Sequence, residues 1–203
     1  IAEENRKRFQ EAGVYVVNLM GAPGAGKTTL LEQTIRALKP RLKVGVIEGD
    51  IVGTDDAERI GALGVPVVQI NTGGACHLDA NMISEVLSEL PLKELDMLII
   101  ENVGNLVCPA EFKVGENIKM MVLSIAEGHD KPLKYPLMFR VSSLLLLNKI
   151  DLVNSKYVDE AKVRIGGGLV PISADHGVNL DELKQAIYGK LTLIKVFLKP
   201  RNG

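Results

Sequence analysis

The chain has 203 residues, of which 46% are hydrophobic and 24% charged; this is enough apolar sequence for one sizeable core and too much for a disordered chain. A formal net charge of −1 argues against non-specific grip on nucleic acid or on an anionic membrane. Two cysteines exclude a disulfide framework, and a charged start with no apolar signal core, with no run near bilayer length, points to a reducing, cytoplasmic setting.

The first residue is Ile1 rather than Met, so a preceding segment is expected. "AEENRKRFQEA" predicts a helix over 2–12. Short apolar runs then alternate with amphipathic ones. "VYVVNLM", "LKVGVIEGD", "VPVVQI", "DMLIIEN", "KMMVLSIAE", "SSLLLLNK" and "GLVPISA" read as strands, near-continuously apolar as in a parallel sheet covered on both faces. "KTTLLEQTIRALK", "TDDAERIGALG", "LDANMISEVLSEL", "SKYVDEAKVRI" and "NLDELKQAIYGKL" carry apolar residues at helical spacing. Met82, Met120 and Met121 sit at core spacing and read as packing. The cluster Gly166 to Gly168 reads as a loop before a strand. The order implies an α/β, doubly wound, mostly parallel sheet with ligands at the carboxyl ends of the strands; with G-x-x-x-x-G-K-T at 21–28 and N-K-x-D at 148–151, residues 1–190 read as one P-loop GTPase domain. The tail over 191–203 reads as a strand that pairs with a sheet edge or exposes one.

"VYVVNLMGAPGAGKTTLLEQ" is a strand, G-x-x-x-x-G-K-T, and a helix. Glycines Gly21, Gly24 and Gly26, with Ala25, let backbone N–H groups curl around phosphates at a helix N-terminus. Lys27 reaches the β/γ-phosphates, the Thr28 hydroxyl binds Mg²⁺, and Thr29 completes the cradle. "LLLLNKIDLV" supplies Asn148, Lys149 and Asp151, an N-K-x-D that resembles the guanine-reading motif of GTPases. A carboxylate accepts from the guanine N1–H and 2-amino groups, and adenine would leave Asp151 unpaired. "PISADHG" then offers Ser173 and Ala174, resembling the S-A loop whose backbone meets the base oxygen.

Two strands end in acids. "VIEGD" gives Glu48 and Asp50, and "LIIENVG" gives Glu101 and Gly104. Asp50 is placed to hold Mg²⁺ or orient the attacking water. Glu101-x-x-Gly104 resembles a variant of the D-x-x-G γ-phosphate sensor, with Glu101 a second candidate Mg²⁺ ligand. Strand-end carboxylates also often just solvate a sheet edge. Arg59 is the nearest candidate for an arginine finger and reads as a helix-surface charge, so unaided turnover is expected to be slow, about 10⁻⁴ to 10⁻² per second.

"NTGGACHLDANM" puts Cys76 beside His77, just before a helix, where a thiolate is favoured. Cys108 follows in "ENVGNLVCPAEF". Thiolate with imidazole suits Zn²⁺ or Ni²⁺. Three soft ligands are too few for a closed four-coordinate site, and two copies of the chain at a two-fold axis offer six. The competing reading is that each cysteine is a small buried hydrophobe. His129 and His176 read as solvent or pocket residues.

"EGDIVGTDDAERI", "QINTGGACHLDANMI", "ENVGNLVCPAEF", "EGHDKPLKYPLMF" and "LLLLNKIDL" together resemble the HypB family, GTPases that assist nickel insertion into nickel–iron hydrogenase, with UreG a relative serving urease. The resemblance runs through Leu152. It implies Mg²⁺-dependent hydrolysis of GTP to GDP, homodimerisation on GTP binding, a HypA-type nickel chaperone and the hydrogenase large subunit as partners, and Cys76, His77 and Cys108 as the metal ligands. Gly53, Lys113 and His129 depart from the family pattern, and the extra N-terminal nickel motif of some members is missing from this chain.

From Asn154 onward the sequence is similar to Drg GTPases of the Obg-related group. The chain therefore reads as a join between two GTPase lineages at the N-K-x-D strand, as an engineered or recombined sequence would. This leaves two other functions to weigh: a ribosome- or RNA-associated regulatory GTPase, against which the near-neutral charge counts, and a GTPase that zinc inhibits and that delivers nothing.

Overall fold

The computed structural model describes residues 1–51, 53–128, 130–165 and 169–195. The Gly166–Gly168 joint, His129 and the tail from 196 on lie outside the described residues. In chain order the elements are α1 (Ala2–Ala12), β1 (Tyr15–Gly21), α2 (Lys27–Leu38), β2 (Val44–Asp50), α3 (Asp55–Gly61), β3 (Val67–Asn71), α4 (Ala80–Val86), β4 (Met97–Glu101), α5 (Cys108–Glu111), β5 (Ile118–Ser124), α6 (Lys131–Lys134), α7 (Pro136–Val141), β6 (Leu144–Asn148), α8 (Ser155–Ile165), β7 (Leu169–Pro171) and α9 (Leu180–Lys195).

Every strand pairs in parallel, in the order β3-β2-β4-β1-β5-β6-β7. The period-2 alternation of side chains sorts the strand residues between two faces. Tyr15, Val17 and Leu19 of β1 pack with Leu30 and Ile35 of α2, Ile60 of α3 and Leu183 of α9. Val14 and Val16 point the other way, onto Phe9 of α1 and Ile83 of α4. Met20 continues that face with Met121, Met138 of α7 and Val158 of α8. Both faces of the sheet are thus covered by helices, which is why the strands read as unbroken apolar runs. Met120 and Met121 are buried, and Met82 packs against the α1/α4 cluster.

One expectation changes, and three short elements are added. The tail does not turn into a strand at 191: α9 runs on to Lys195, because extending a formed helix costs little per residue and the next proline is Pro200. The segments around Cys108, Lys131 and Pro136 form three short helices, α5 to α7, each with a proline in its first turn. Proline fits there because the missing N–H has no helical acceptor to lose.

The strand ends decide where the chemistry gathers. β1, β2, β4 and β6 end at Gly21, Asp50, Glu101 and Asn148 on one rim of the sheet. A parallel sheet collects these carboxyl ends, and a ligand sits beyond them.

Candidate functional site

The loop from Gly21 to Lys27 is closed by side chains from far along the sequence. Gly26, at φ 91°, precedes α2, and a Cβ on it would run into the Asn148 side-chain amide. Asn148 Nδ2 donates to the Ala25 carbonyl at 3.0 Å, and its Oδ1 accepts from Ala174 N at 3.0 Å. Lys149 sits in the left-handed region, φ 62°, and its Nζ donates to the Gly24 carbonyl at 2.8 Å. The glycine loop, N-K-x-D and S-A segments therefore form one wall. The Ser173 hydroxyl donates to Asp151 Oδ1 at 2.5 Å, and His176 Nδ1 lies 3.7 Å from Asp151 Oδ2. The Ser173 hydroxyl holds the Asp151 carboxyl below the usual carboxylate range, so Asp151 is kept as an acceptor. Ser173 thus supports Asp151 through its side chain.

The wall borders a cavity of about 500 Å³ that also takes in Lys27, Thr28, Thr29, Asp50, Glu101 and Gly104. Lys27 Nζ donates towards the carbonyls of Ala22 and Gly21, at 3.3 and 3.5 Å. Burial pulls its pKa down, opposed by Glu101 and Asp56. The Thr28 hydroxyl lies 2.9 Å from Glu101 Oε1 and 3.0 Å from Asp56 Oδ2. Asp50 lines the cavity but spends Oδ1 on Ile51 N, at 2.6 Å. Asp56, in the first turn of α3, therefore stands at Thr28 where Asp50 was expected. Sequence reasoning missed it because acids in a first helical turn ordinarily just complement the helix dipole. Arg59 bridges Asp56 (3.0 Å) and Glu32 (2.9 Å). It tethers Asp56 at the cavity rim.

Glu48 and Glu101 are both buried, and each keeps one oxygen, Oε2, with no hydrogen-bond partner among the described residues. Burial pushes Glu101 up to about 7. It pushes Glu48 up to about 8, with Glu101 and Asp50 adding to the effect. Unpartnered buried carboxylate oxygens are costly unless something positive meets them. A hydroxyl with several carboxylates is a hard, all-oxygen donor set, and it fits a divalent cation such as Mg²⁺.

A second donor set lies apart from the cavity and is of opposite chemistry. Cys76, His77 and Cys108 bring one ligand atom each within 4.8 Å of one another. The two Sγ atoms are 2.6 Å apart and unbonded, and Cys76 Sγ is 3.6 Å from His77 Nδ1. The shared hydrogen bond with Cys76 pushes the Cys108 thiol up. The His77 ring stacks on Phe112, with centroids 4.1 Å apart and planes at 16°. The helix end nearest Cys76 is already occupied, because the Asp79 carboxylate takes the N–H groups of Asn81 and Met82. The expected help from that helix therefore goes to Asp79. Cys108 is the residue that opens a helix, α5. Neither cysteine is buried, which sets aside the small-hydrophobe reading. Two sulfurs and an imidazole suit Ni²⁺ or Zn²⁺ and are poor ligands for Mg²⁺.

One segment joins the two donor sets. After Glu101, Asn102 is buried: its Oδ1 accepts from Leu78 N at 2.9 Å, and its Nδ2 donates to Asn18 at 3.1 Å. Gly104 packs on Pro23, where a Cβ would come within 3.0 Å of the ring. Asn105 N donates to the Gly21 carbonyl at 3.0 Å, and its Oδ1 accepts from Val107 N at 2.7 Å and Cys108 N at 3.2 Å. Neither asparagine was singled out from the sequence. In a cysteine-bearing loop, an Asn usually signals only a turn.

A family model described as the CobW/HypB/UreG nucleotide-binding domain matches residues 15–166. A probable hydrogenase maturation factor HypB of Methanocaldococcus jannaschii is 43% identical over 163 residues, 80% of this chain and 74% of that protein. The chain belongs to the HypB family. Hydrogenase maturation factor HypB of Escherichia coli K12 is 55% identical over 153 residues, 75% of this chain and 53% of that one. The chain thus spans about half the length of the enterobacterial relative. Two HypB crystal structures share the fold almost end to end. That from Archaeoglobus fulgidus has a TM-score of 0.83 at 36% identity, covering 94% of this chain and 96% of its own. That from Helicobacter pylori, in complex with nickel, has a TM-score of 0.84 at 35% identity, covering 100% and 97%. The match to the HypB-containing family model runs past Asn154 through α8, and the fold likeness extends over β7 and α9. The stretch after Asn154 thus lies within the HypB likeness, where it supplies α8, β7 and α9.

Proposed function

We propose that this chain is a GTP-hydrolysing nickel metallochaperone for maturation of nickel–iron hydrogenase, loading nickel at Cys76, His77 and Cys108 and using nucleotide state to change its grip. GTP is the substrate of the cavity. The backbone of Gly21 to Thr29 receives the phosphates, and Lys27 moves from loop carbonyls to the β/γ-oxygens. Asp151 accepts from the guanine edge, with Asn148 and Lys149 holding base loop and phosphate loop together. Mg²⁺ would be held by Thr28, Asp56 and Glu101, with Glu48 and Asp50 behind, and when bound would neutralise charge on the phosphate oxygens. Asp50, at the end of β2 and lining the cavity, is the residue we assign to orienting the attacking water.

Nickel is cargo rather than a resident cofactor in this reading, and Zn²⁺ is the competing ion for the same donors. Three ligands on one chain leave a four-coordinate ion open. A second copy brought up on GTP binding would close it, and a HypA-type chaperone and the hydrogenase large subunit are the partners for hand-over. The observation that carries the proposal is the short path from cavity to thiol. Gly104 lies against Pro23, Asn105 bonds Gly21, and the same Asn105 side chain holds Cys108 N. A ligand that shifts Gly104 must also shift Cys108.

The test is nickel affinity measured with GDP and with a non-hydrolysable GTP analogue. Different affinities are expected, typically about 5- to 150-fold for coupled sites. Equal affinities would remove the coupling, and nickel binding unaltered after replacing both cysteines by serine would remove the metal site.

A further inference from the structure

The short helix that carries Cys108 is poorly equipped to hold itself in place. α5 has four residues, and its N-cap residue, Val107, has no side chain that could cap it; Asn105 holds that end instead, through Cys108 N, and leaves the other end to be held. A helix this short is unstable alone, and its last carbonyls lack helical partners. The missing partner comes from a strand in the middle of the sheet. Lys119 of β5 points out beneath α5, and its Nζ donates to the carbonyls of Pro109 at 2.7 Å, Ala110 at 3.0 Å and Phe112 at 2.7 Å. All three ammonium protons are thereby used.

This is an unusual place for a lysine. Its side chain is 8% exposed, and Glu116, its ion-pair partner at 3.7 Å, is 5% exposed. Buried lysines are rare unless paired. Glu116 is itself engaged: its Oε2 accepts from Val114 N at 2.8 Å and Gly115 N at 3.0 Å. Asn5 of α1 completes the knot, donating to the carbonyls of Ala80 and Val114. A positive charge at a helix C-terminus complements the local dipole as well as its orphan carbonyls.

What the ammonium holds matters more than the cost of burying it. Pro109 and Ala110 directly follow Cys108. Phe112 carries the ring on which His77 stacks. We propose that Lys119 is a positioning residue for the Cys76–His77–Cys108 metal site: by binding the carbonyls of Pro109, Ala110 and Phe112, its ammonium sets the place of the Cys108 sulfur and, through the Phe112 ring, the His77 imidazole. The proposal rests on the metal reading above. Lys119 never touches the ion; it fixes two of the three ligands from behind, as outer-shell partners of metal sites do.

The experiment compares the full chain with Lys119→Met, Lys119→Arg and Cys108→Ser, titrating each with Ni²⁺ and with Co²⁺ and recording the sulfur-to-metal charge-transfer absorption. GDP affinity and melting temperature are measured alongside. Lys119→Met keeps the length of the side chain and removes the donors. It is expected to lose about 10- to 100-fold in nickel affinity, with a shifted or weakened charge-transfer band, while GDP affinity is unchanged. Wild-type affinity and an unshifted band in Lys119→Met overturn the proposal.

If Lys119→Met does not fold, as judged by lost GDP binding, Lys119→Arg decides. A guanidinium cannot place three donors around a point as an ammonium does, so the band must shift with GDP affinity retained, and an unshifted band overturns the proposal. Cys108→Ser separates the two levels of argument. If that variant binds nickel like the wild type, the metal reading fails; if it loses nickel while Lys119→Met does not, the positioning role alone fails.

Discussion

At Asp151 the proposed choice of base comes down to one carboxylate. Ser173 donates to one of its oxygens and keeps it ionised, so it meets a base edge as an acceptor. Asp151→Asn replaces one acceptor oxygen by a donor nitrogen. Losing the charge and one of the two acceptors weakens GTP binding by roughly 10- to 100-fold. A xanthine nucleotide, with a carbonyl where guanine has an amino group, is the better ligand of that variant. Competition between the two triphosphates in equilibrium binding checks this. The acidic pair behind Thr28 makes a second residue-scale prediction. Glu101 and Glu48 titrate near 7 and 8, above the ordinary carboxylate value, because burial disfavours their charged forms. The folded chain therefore holds protons that the unfolded chain has released. Stability is full below the unfolded value of about 4.5 and declines as pH rises through about 7 and then 8, at up to about 1.4 kcal/mol per pH unit per carboxyl. Melting curves of the nucleotide-free protein from pH 5 to 9 should fall accordingly. Mg²⁺ should raise the melting temperature more at pH 8 than at pH 6, where it must displace protons. A melting temperature that rises between pH 6 and 8 without Mg²⁺ would falsify the assignment of strain to this pair.

The element that sets the proposed switch is the stretch from Glu101 to Cys108. Asn105 spans it, with its backbone on Gly21 and its side chain on Val107 and Cys108. Asn105→Ala keeps the backbone contact and cuts the side-chain ones. Nickel affinity should then become nearly the same with GDP and with a GTP analogue, while both nucleotides bind as before; isothermal titration in the two nucleotide states reads this out. Had the sequence been the only guide, this element would have been half visible. The seven strands and six of the helices, α1 to α4, α8 and α9, are legible because a parallel sheet buries both faces, so apolar runs and helical stripes alternate cleanly. Gly26, Lys27, Asn148 and Asp151 are legible because phosphate and base chemistry dictates their spacing. Asp56, Asn102, Asn105 and Lys119 are not. Their roles depend on contacts made across the chain, from Thr28 to Asp56 and from Lys119 back to Pro109. Nothing in the local pattern separates them from an ordinary helix start, turn or strand residue. The helical stretch to Lys195 is a different kind of miss. "LTLIK" suits a strand by composition, and an already formed helix overrides that preference.

On the scale of the whole molecule, the proposed metal site opens onto the surface of the chain. Cys76 and Cys108 are partly exposed, and beside them stand Val107 at 50% and Phe112 at 44% exposure. Apolar side chains left in water around an incomplete ligand set fit an interface that forms only when both are satisfied. The cation and the apolar rim then act together, since the metal supplies directional bonds and Val107 and Phe112 supply area. Mixing the chain with a GTP analogue and Ni²⁺ should double its mass in sedimentation, with nickel in the doubled species, because three ligands on one chain leave a four-coordinate ion open and a second copy completes it. Val107→Asp should block the doubling by placing a carboxylate in that rim, because two copies of the charge would face each other across a desolvated interface. Val107 contributes only its backbone N–H to the Asn105 contact, so GDP binding by the monomer should be retained. If the Val107→Asp chain still doubles its mass, the interface lies elsewhere. The three ligands would then have to be completed by water or by the protein that receives the metal.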